Sequence, residues 1–240
     1  PSWSSLFLDY GTAGNLNNNI GVPLTLLQLP VDTEFAVVEI GANHPGEHIA
    51  LMEIVQPDFA LVTNHGADHL EGFGSLEGVR RANKEIFDES KKNGAKVFVS
   101  SLEKDLVEDS SECTQILYPQ KTYTPLPGLT TGLMYDNTEL RSNLAGDFNY
   151  KNILSAIAVG EFFDIPMKDI IDAIQEYEPT LKRSQLLQKE TCTILMDCYN
   201  ANPSSMELAI RSFVTNTPSG SRIFIIGDMF ELGEHEIEAH

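Results

Sequence analysis

At 240 residues and 42% hydrophobic content, the chain can bury a full core and has room for one large domain or one and a half. Its 35 acidic against 16 basic residues give a formal charge of −19, which speaks against nucleic acid or an anionic membrane as partner, since either needs a basic face. Cys113, Cys192 and Cys198 are odd in number without C-x-x-C spacing, and no apolar run nears the roughly 18–20 residues of a membrane span, so the expectation is a cytoplasmic protein with reduced thiols and no membrane insertion.

Short apolar runs alternate with amphipathic stretches along the chain. A strand at 35–40 (FAVVEI) precedes a helix at 46–55, and a strand at 59–63 (FALVT) precedes a helix at 76–93. A strand follows at 96–99 (KVFV). Residues 101–145, with Pro119, Pro125, Pro127 and Gly128 close together, read as loops or a small β-rich excursion. Helices at 150–163 and 167–177 come next. After the separator 178–185 (EPTLKRSQ) the pattern resumes with a strand at 193–196 (TILM), a helix at 204–213 and a strand at 223–226 (IFII). Continuous β-branched runs suit strands buried on both faces, so the fold class is α/β with a doubly wound, mostly parallel sheet. A domain boundary is placed near Ser184, dividing 1–184 from 185–240.

Several polar residues stand where such a fold does chemistry. Glu39 ends an apolar strand, and a carboxylate at the C-terminal end of a parallel strand faces the crevice where α/β proteins bind ligands. His69 follows the next strand and its turn. His44 with His48, and His65 with His69 and Asp68, have the look of zinc ligands. Ala67 breaks the H-x-H-x-D-H order, however, and HPGEH lacks the H-E-x-x-H order of a zinc protease helix. Asn149 and Asn152 open a helix three residues apart, on one face. Arg183 lies in the separator, and Asp197 ends the strand TILM ahead of Tyr199 and Asn200.

Five stretches carry a resemblance in the same order along the chain: GNLNNNIGVP (14–23), EIGANHPG (39–46), HLEGFGS (69–75), DCYNANPSSM (197–206) and GDMFELG (227–233). Together they resemble the Mur ligase family, with 1–184 as its central ATP-binding domain and 185–240 as the beginning of its Rossmann-like C-terminal domain. The resemblance implies ATP-dependent amide-bond formation in peptidoglycan precursor synthesis, joining D-alanyl-D-alanine to UDP-N-acetylmuramoyl tripeptide through an acyl phosphate, by a monomer using ATP and magnesium (Mg2+). It implies catalytic roles for Glu39, His69 and Arg183, with Glu39 and His69 as metal ligands. It assigns Asn149, Asn152, Arg183, Asp197 and Asn200 to the nucleotide, and Asn17, Asn18, Asn202 and Ser205 to substrate. Asp228 and Glu231 of GDMFELG are structural or position substrate.

The chain departs from the family at three places. It has no G-x-x-x-x-G-K-[ST] phosphate loop, so by itself it should hold ATP poorly and be inactive. Phe148 replaces the usual His of G-x-H-N-x-x-N. Asn83, in Ala82-Asn83-Lys84-Glu85, stands where the family has a Lys that is carbamylated to bind a second metal, and Lys84 is turned about 100° from it around the helix. These losses leave a second reading open, a non-catalytic binding or scaffold module with a Mur ligase fold.

Overall fold

The computed structural model describes residues 9–66, 70–179, 182–217, 220, 222–230, 232 and 236–240. The chain divides into two compact units, Pro1–Tyr118 and Pro119–His240. In the first, β1 (Asp9–Gly11), α1 (Gly21–Leu27), β2 (Phe35–Val37), α2 (Glu47–Val55) and β3 (Phe59–Leu61) are followed by α3 (Leu70–Phe73), α4 (Leu76–Asn93), β4 (Lys96–Ser100), α5 (Lys104–Asp109) and β5 (Thr114–Tyr118). β1 pairs with β2, and β3-β4-β5 form a three-stranded sheet; among the described residues every pairing in this unit is parallel.

The longest helix shows how sequence sets these elements. Ser75 caps α4, its Oγ accepting from Gly78 N at 3.1 Å, and Gly94 ends it in the left-handed region at φ 77° that glycine adopts without strain. The face between carries Ala82, Ile86 and Phe87 into the core. There Ile86 and Phe87 pack with Met52, Val62, Val97, Val99 and Leu106, which ties α2 and α5 to β4. Val97, Phe98 and Val99 are all buried, as a central parallel strand covered on both faces requires.

The second unit contains β6 (Thr124–Leu126), β7 (Thr130–Tyr135), β8 (Thr138–Ala145), α6 (Asn149–Phe162) and α7 (Met167–Glu176), then β9 (Gln185–Gln188), β10 (Thr193–Met196), α8 (Pro203–Asn216) and α9 (Glu236–Ala239). Its five strands form an antiparallel sheet in the order β10-β9-β8-β7-β6. Of the two readings of 101–145, loops or a small β-rich excursion, the second holds for β6, β7 and β8, whereas 104–109 is the helix α5 and 114–118 the parallel strand β5 of the first unit. Two strand readings need correction. TILM is a strand, but it pairs antiparallel with β9 as a hairpin, because only four residues separate the two and a parallel return needs a long crossover. IFII at 223–226 is not a strand: Ile223, Phe224, Ile225 and Ile226 are exposed, and among the described residues no strand lies beside it to form a ladder. β9 meets β8 through the single pairing Leu144↔Gln185. Among the described residues no helix is long and apolar enough to cross a membrane.

Candidate functional site

Glu39 is exposed and lies beyond the end of β2, since pairing with β1 stops at Val37. Thr12 continues the connection, its amide donating to Val37 O at 3.1 Å and its Oγ1 accepting from Glu39 N at 2.9 Å. Asn17 then fixes the carboxylate: its Nδ2 donates to Glu39 Oε1 at 2.9 Å while its own carbonyl accepts from Gly41 N at 2.8 Å. A Cβ at Gly41 would come within 2.9 Å of Asn17 Nδ2, so glycine leaves room for the amide that holds Glu39. Asn17 and Glu39, assigned separately from the sequence, therefore belong to one arrangement. Asn18 has a different task, accepting at Oδ1 from Ile20 N at 3.0 Å and Gly21 N at 2.9 Å at the entrance to α1.

The two neighbouring histidines, His44 and His48, are placed differently. His48 is buried and its Nδ1 donates to Ala82 O at 2.9 Å, linking α2 to α4. His44 is exposed beside Glu47, whose carboxylate accepts from Asn43 N at 2.7 Å and His44 N at 3.1 Å; these contacts hold its pKa below the usual carboxylate range. Glu85 accepts from Gly46 N at the start of α2. Among the described residues no group of three or more His, Cys, Asp and Glu is placed to hold a metal. His69, Asp68 and Glu231 lie outside the described residues.

Asn83 points at His65, its Nδ2 lying 3.2 Å from Nδ1. On the other side of the ring, Nε2 lies 3.2 Å from Asp109 Oδ2 in a contact that is not aligned as a hydrogen bond. Arg80 clamps Asp109 with Nε at 2.7 Å and Nη2 at 2.8 Å. Burial keeps the imidazole below its ordinary pKa, against the pull of Asp109. Lys84 turns away and pairs with Asp88.

In the second unit Asn149 is buried, its Nδ2 donating to Ala145 O at 2.8 Å and its Oδ1 accepting from Asn152 Nδ2 at 3.1 Å. Asn152 is exposed. Asp197 accepts at Oδ1 from Ser184 N at 3.0 Å, and the Arg183 guanidinium carbon sits 3.8 Å from the Tyr199 ring centroid. Arg183, Asp197 and Tyr199 are thus gathered by the β9–β10 hairpin, whose far end pairs Gln185 with Met196. The Tyr199 stack was missed by the sequence reading, and reading the hairpin would have found it. Asn200 accepts from Ala201 N at 2.9 Å. Asn202 and Ser205 form the capping box of α8: Ser205 N donates to Asn202 Oδ1 at 2.8 Å and Asn202 N to Ser205 Oγ at 3.1 Å. Asp228 is exposed next to buried Met229, whose amide donates to His240 Nε2 at 2.9 Å.

The model of the Mur ligase middle domain matches residues 3–160. The chain is 31% identical over 239 residues to the UDP-N-acetylmuramoyl-tripeptide-D-alanyl-D-alanine ligase of Bacillus subtilis, covering 95% of this chain and 52% of that protein. It is 36% identical over 240 residues to the ligase of the same name from Haemophilus influenzae, again with 95% and 52% covered. Among solved structures, MurF from Acinetobacter baumannii superposes with a TM-score of 0.84 at 28% identity, covering 99% of this chain and 54% of that one. The chain spans about half the length of the curated relatives it matches. With parallel α/β sheets, the ordered motifs and a family match over most of its length, the chain belongs to the Mur ligase family.

Proposed function

We propose that these residues form the central part and the opening of the C-terminal domain of an ATP-dependent ligase, cytoplasmic and monomeric, that joins D-alanyl-D-alanine to UDP-N-acetylmuramoyl tripeptide. The observation that carries the reading is Glu39. It is presented by Asn17 and Thr12 just past a parallel strand, in a chain similar along 95% of its length to ligases of that name. A single oriented carboxylate suits magnesium, which keeps several waters and takes its other oxygens from substrate phosphates. Asn17 occupies Oε1, leaving Oε2 without a partner among the described residues. His69 is the second ligand of the proposal.

Magnesium, when bound, offsets charge on the transferring phosphoryl group. The remaining roles fall to the chain's own residues. The exposed amide of Asn152, oriented by buried Asn149, reads the nucleotide base, and Asp197 and Asn200 serve the ribose. Arg183 meets phosphate oxygens edge-on. Asn17 sets the rotamer of Glu39, while Asn18, Asn202 and Ser205 act on substrate by holding the starts of α1 and α8 in place. The boundary near Ser184 divides the central from the C-terminal domain. The tripeptide carboxylate is activated as an acyl phosphate, and the dipeptide amine displaces phosphate.

The test is a hybrid in which these residues replace the matching half of the Bacillus subtilis ligase, whose remaining segments supply what this chain lacks. Given ATP, magnesium, nucleotide tripeptide and D-alanyl-D-alanine, the hybrid should release ADP and ligated product in equal amounts, and Glu39→Ala should abolish both. A folded hybrid that binds nucleotide yet makes no product would support the non-catalytic reading, which Asn83 favours.

A further inference from the structure

Arg183 sits on a backbone that two unusual residues hold in place. Lys182 and Ser184 flank it with φ values of 57° and 47°, in the left-handed region that non-glycine residues seldom occupy. Both are tied down. Cys198 N donates to Lys182 O at 2.9 Å, Ser184 N donates to Asp197 Oδ1 at 3.0 Å, and Ala145 N donates to Ser184 O at 2.8 Å. The loop therefore fixes where the Arg183 side chain starts, and the Tyr199 ring, 3.8 Å below the guanidinium carbon, fixes where it ends.

The guanidinium is also free of acidic partners. Arg80, Arg141 and Arg211 each pair with a carboxylate, whereas among the described residues Arg183, like Arg81, meets none and is exposed. In a chain of charge −19, a cation left without an acidic partner remains available to an anion from outside. An aromatic face holds a guanidinium without consuming its hydrogen bonds, because the N–H donors lie in the plane of the stack and point outward. A carboxylate in the same place would occupy that edge.

We propose that Tyr199 is a positioning residue for Arg183: its ring holds the guanidinium by the face so that the N–H edge meets the phosphate oxygens of a nucleoside di- or triphosphate. This rests on the nucleotide reading above. What the role demands of Tyr199 is the ring, since a hydroxyl in the ring plane adds nothing to a face-on stack. It demands of Arg183 a planar fork that lysine does not provide.

The experiment uses this chain within the hybrid ligase described above, whose other segments supply the phosphate loop, with ADP as probe and two readouts. Protons on Arg183 Cδ should resonate upfield through the ring current in the unsubstituted chain and in Tyr199→Phe, and return to the free-arginine position in Tyr199→Leu. ADP affinity should be unchanged in Tyr199→Phe, and should fall by about fivefold in Tyr199→Leu and at least as far in Arg183→Lys. Rescue by phenylalanine separates stacking from a merely structural role of the hydroxyl. Loss of affinity in Tyr199→Phe equal to that in Tyr199→Leu would overturn the proposal, as would ADP binding in Tyr199→Leu equal to that of the unsubstituted chain. Failure of the unsubstituted chain, carried in that hybrid, to bind ADP at all would instead sink the nucleotide reading and the phosphate role with it, even with the ring-current shift present.

Discussion

Asn83 and His65 face each other across 3.2 Å, amide nitrogen to Nδ1. An amide nitrogen only donates, so Nδ1 accepts and the ring proton sits on Nε2, towards Asp109. Truncating Asn83 removes the donor from a largely buried ring nitrogen. Asn83→Ala should therefore cost about 1–3 kcal/mol of stability, while Lys84→Ala, which breaks only a surface pair with Asp88, should cost about 0.5 kcal/mol or less. Urea unfolding of the two variants measures this directly. Equal losses would mean that the Asn83 contact does not support the fold.

The same ring makes stability depend on pH. Burial lowers the His65 pKa in the folded chain, so as acid is added the unfolded chain takes up its proton first, near the ordinary value of about 6.5. The contribution of neutral His65 is present above that value and is lost as pH falls below it. Asp109 acts lower still: burial pushes its carboxyl up, but Arg80 outweighs this and leaves the pKa below 3.8, so its contribution is lost only in stronger acid. Denaturant midpoints between pH 7 and 5 should fall for the unsubstituted chain and fall less for His65→Gln. Parallel slopes would remove His65 as the cause.

Asn202 offers a test of a different kind. Its side chain closes the capping box of α8, so Asn202→Ala should lower stability by about 1 kcal/mol, and Asn202→Asp should recover most of it. Calorimetry on the three proteins is sufficient. No change in Asn202→Ala would show that the cap is dispensable and that the side chain serves substrate alone.

In the parallel half, β4 and the helix before it were legible because their signal is local: Val97, Phe98 and Val99 are apolar in succession, and Ser75 and Gly94 mark both ends of α4, whereas β1, α1, α5 and β5 were not expected. TILM carries the same apolar signal, yet its direction is decided by a partner, β9, whose sequence QLLQ gives little warning of a strand. IFII fails for the converse reason, since apolar composition is present and a partner is not. In the site, Glu39 and Asn17 were each recognisable from the flanking motifs, but their hydrogen bond depends on the close approach that Gly41 permits. His65 with Asp109, and Arg183 with Tyr199, are pairings across 44 and 16 positions that no local pattern announces.

Where the family resemblance places a carbamylated lysine, a neutral amide has replaced a negative oxygen pair on a longer stem. In the hybrid ligase, Asn83→Lys assayed in bicarbonate should raise the rate and lower the magnesium concentration needed for half activity. Lys84→Ala should leave both unchanged, as its pairing with Asp88 turns it off that face. If Lys84→Ala abolishes the rate while Asn83→Lys does nothing, Lys84 is the functional lysine and the assignment of Asn83 is wrong.

ADP release, measured side by side for the isolated 240-residue chain and the hybrid with all substrates present, tests the central claim most directly. The chain carries Glu39 and Arg183 but no G-x-x-x-x-G-K-[ST] loop, so the isolated chain should match the buffer blank. The hybrid should turn over and should stop doing so with Glu39→Ala. Turnover by the isolated chain that Glu39→Ala abolishes, or a hybrid whose rate is indifferent to Glu39, would contradict the account.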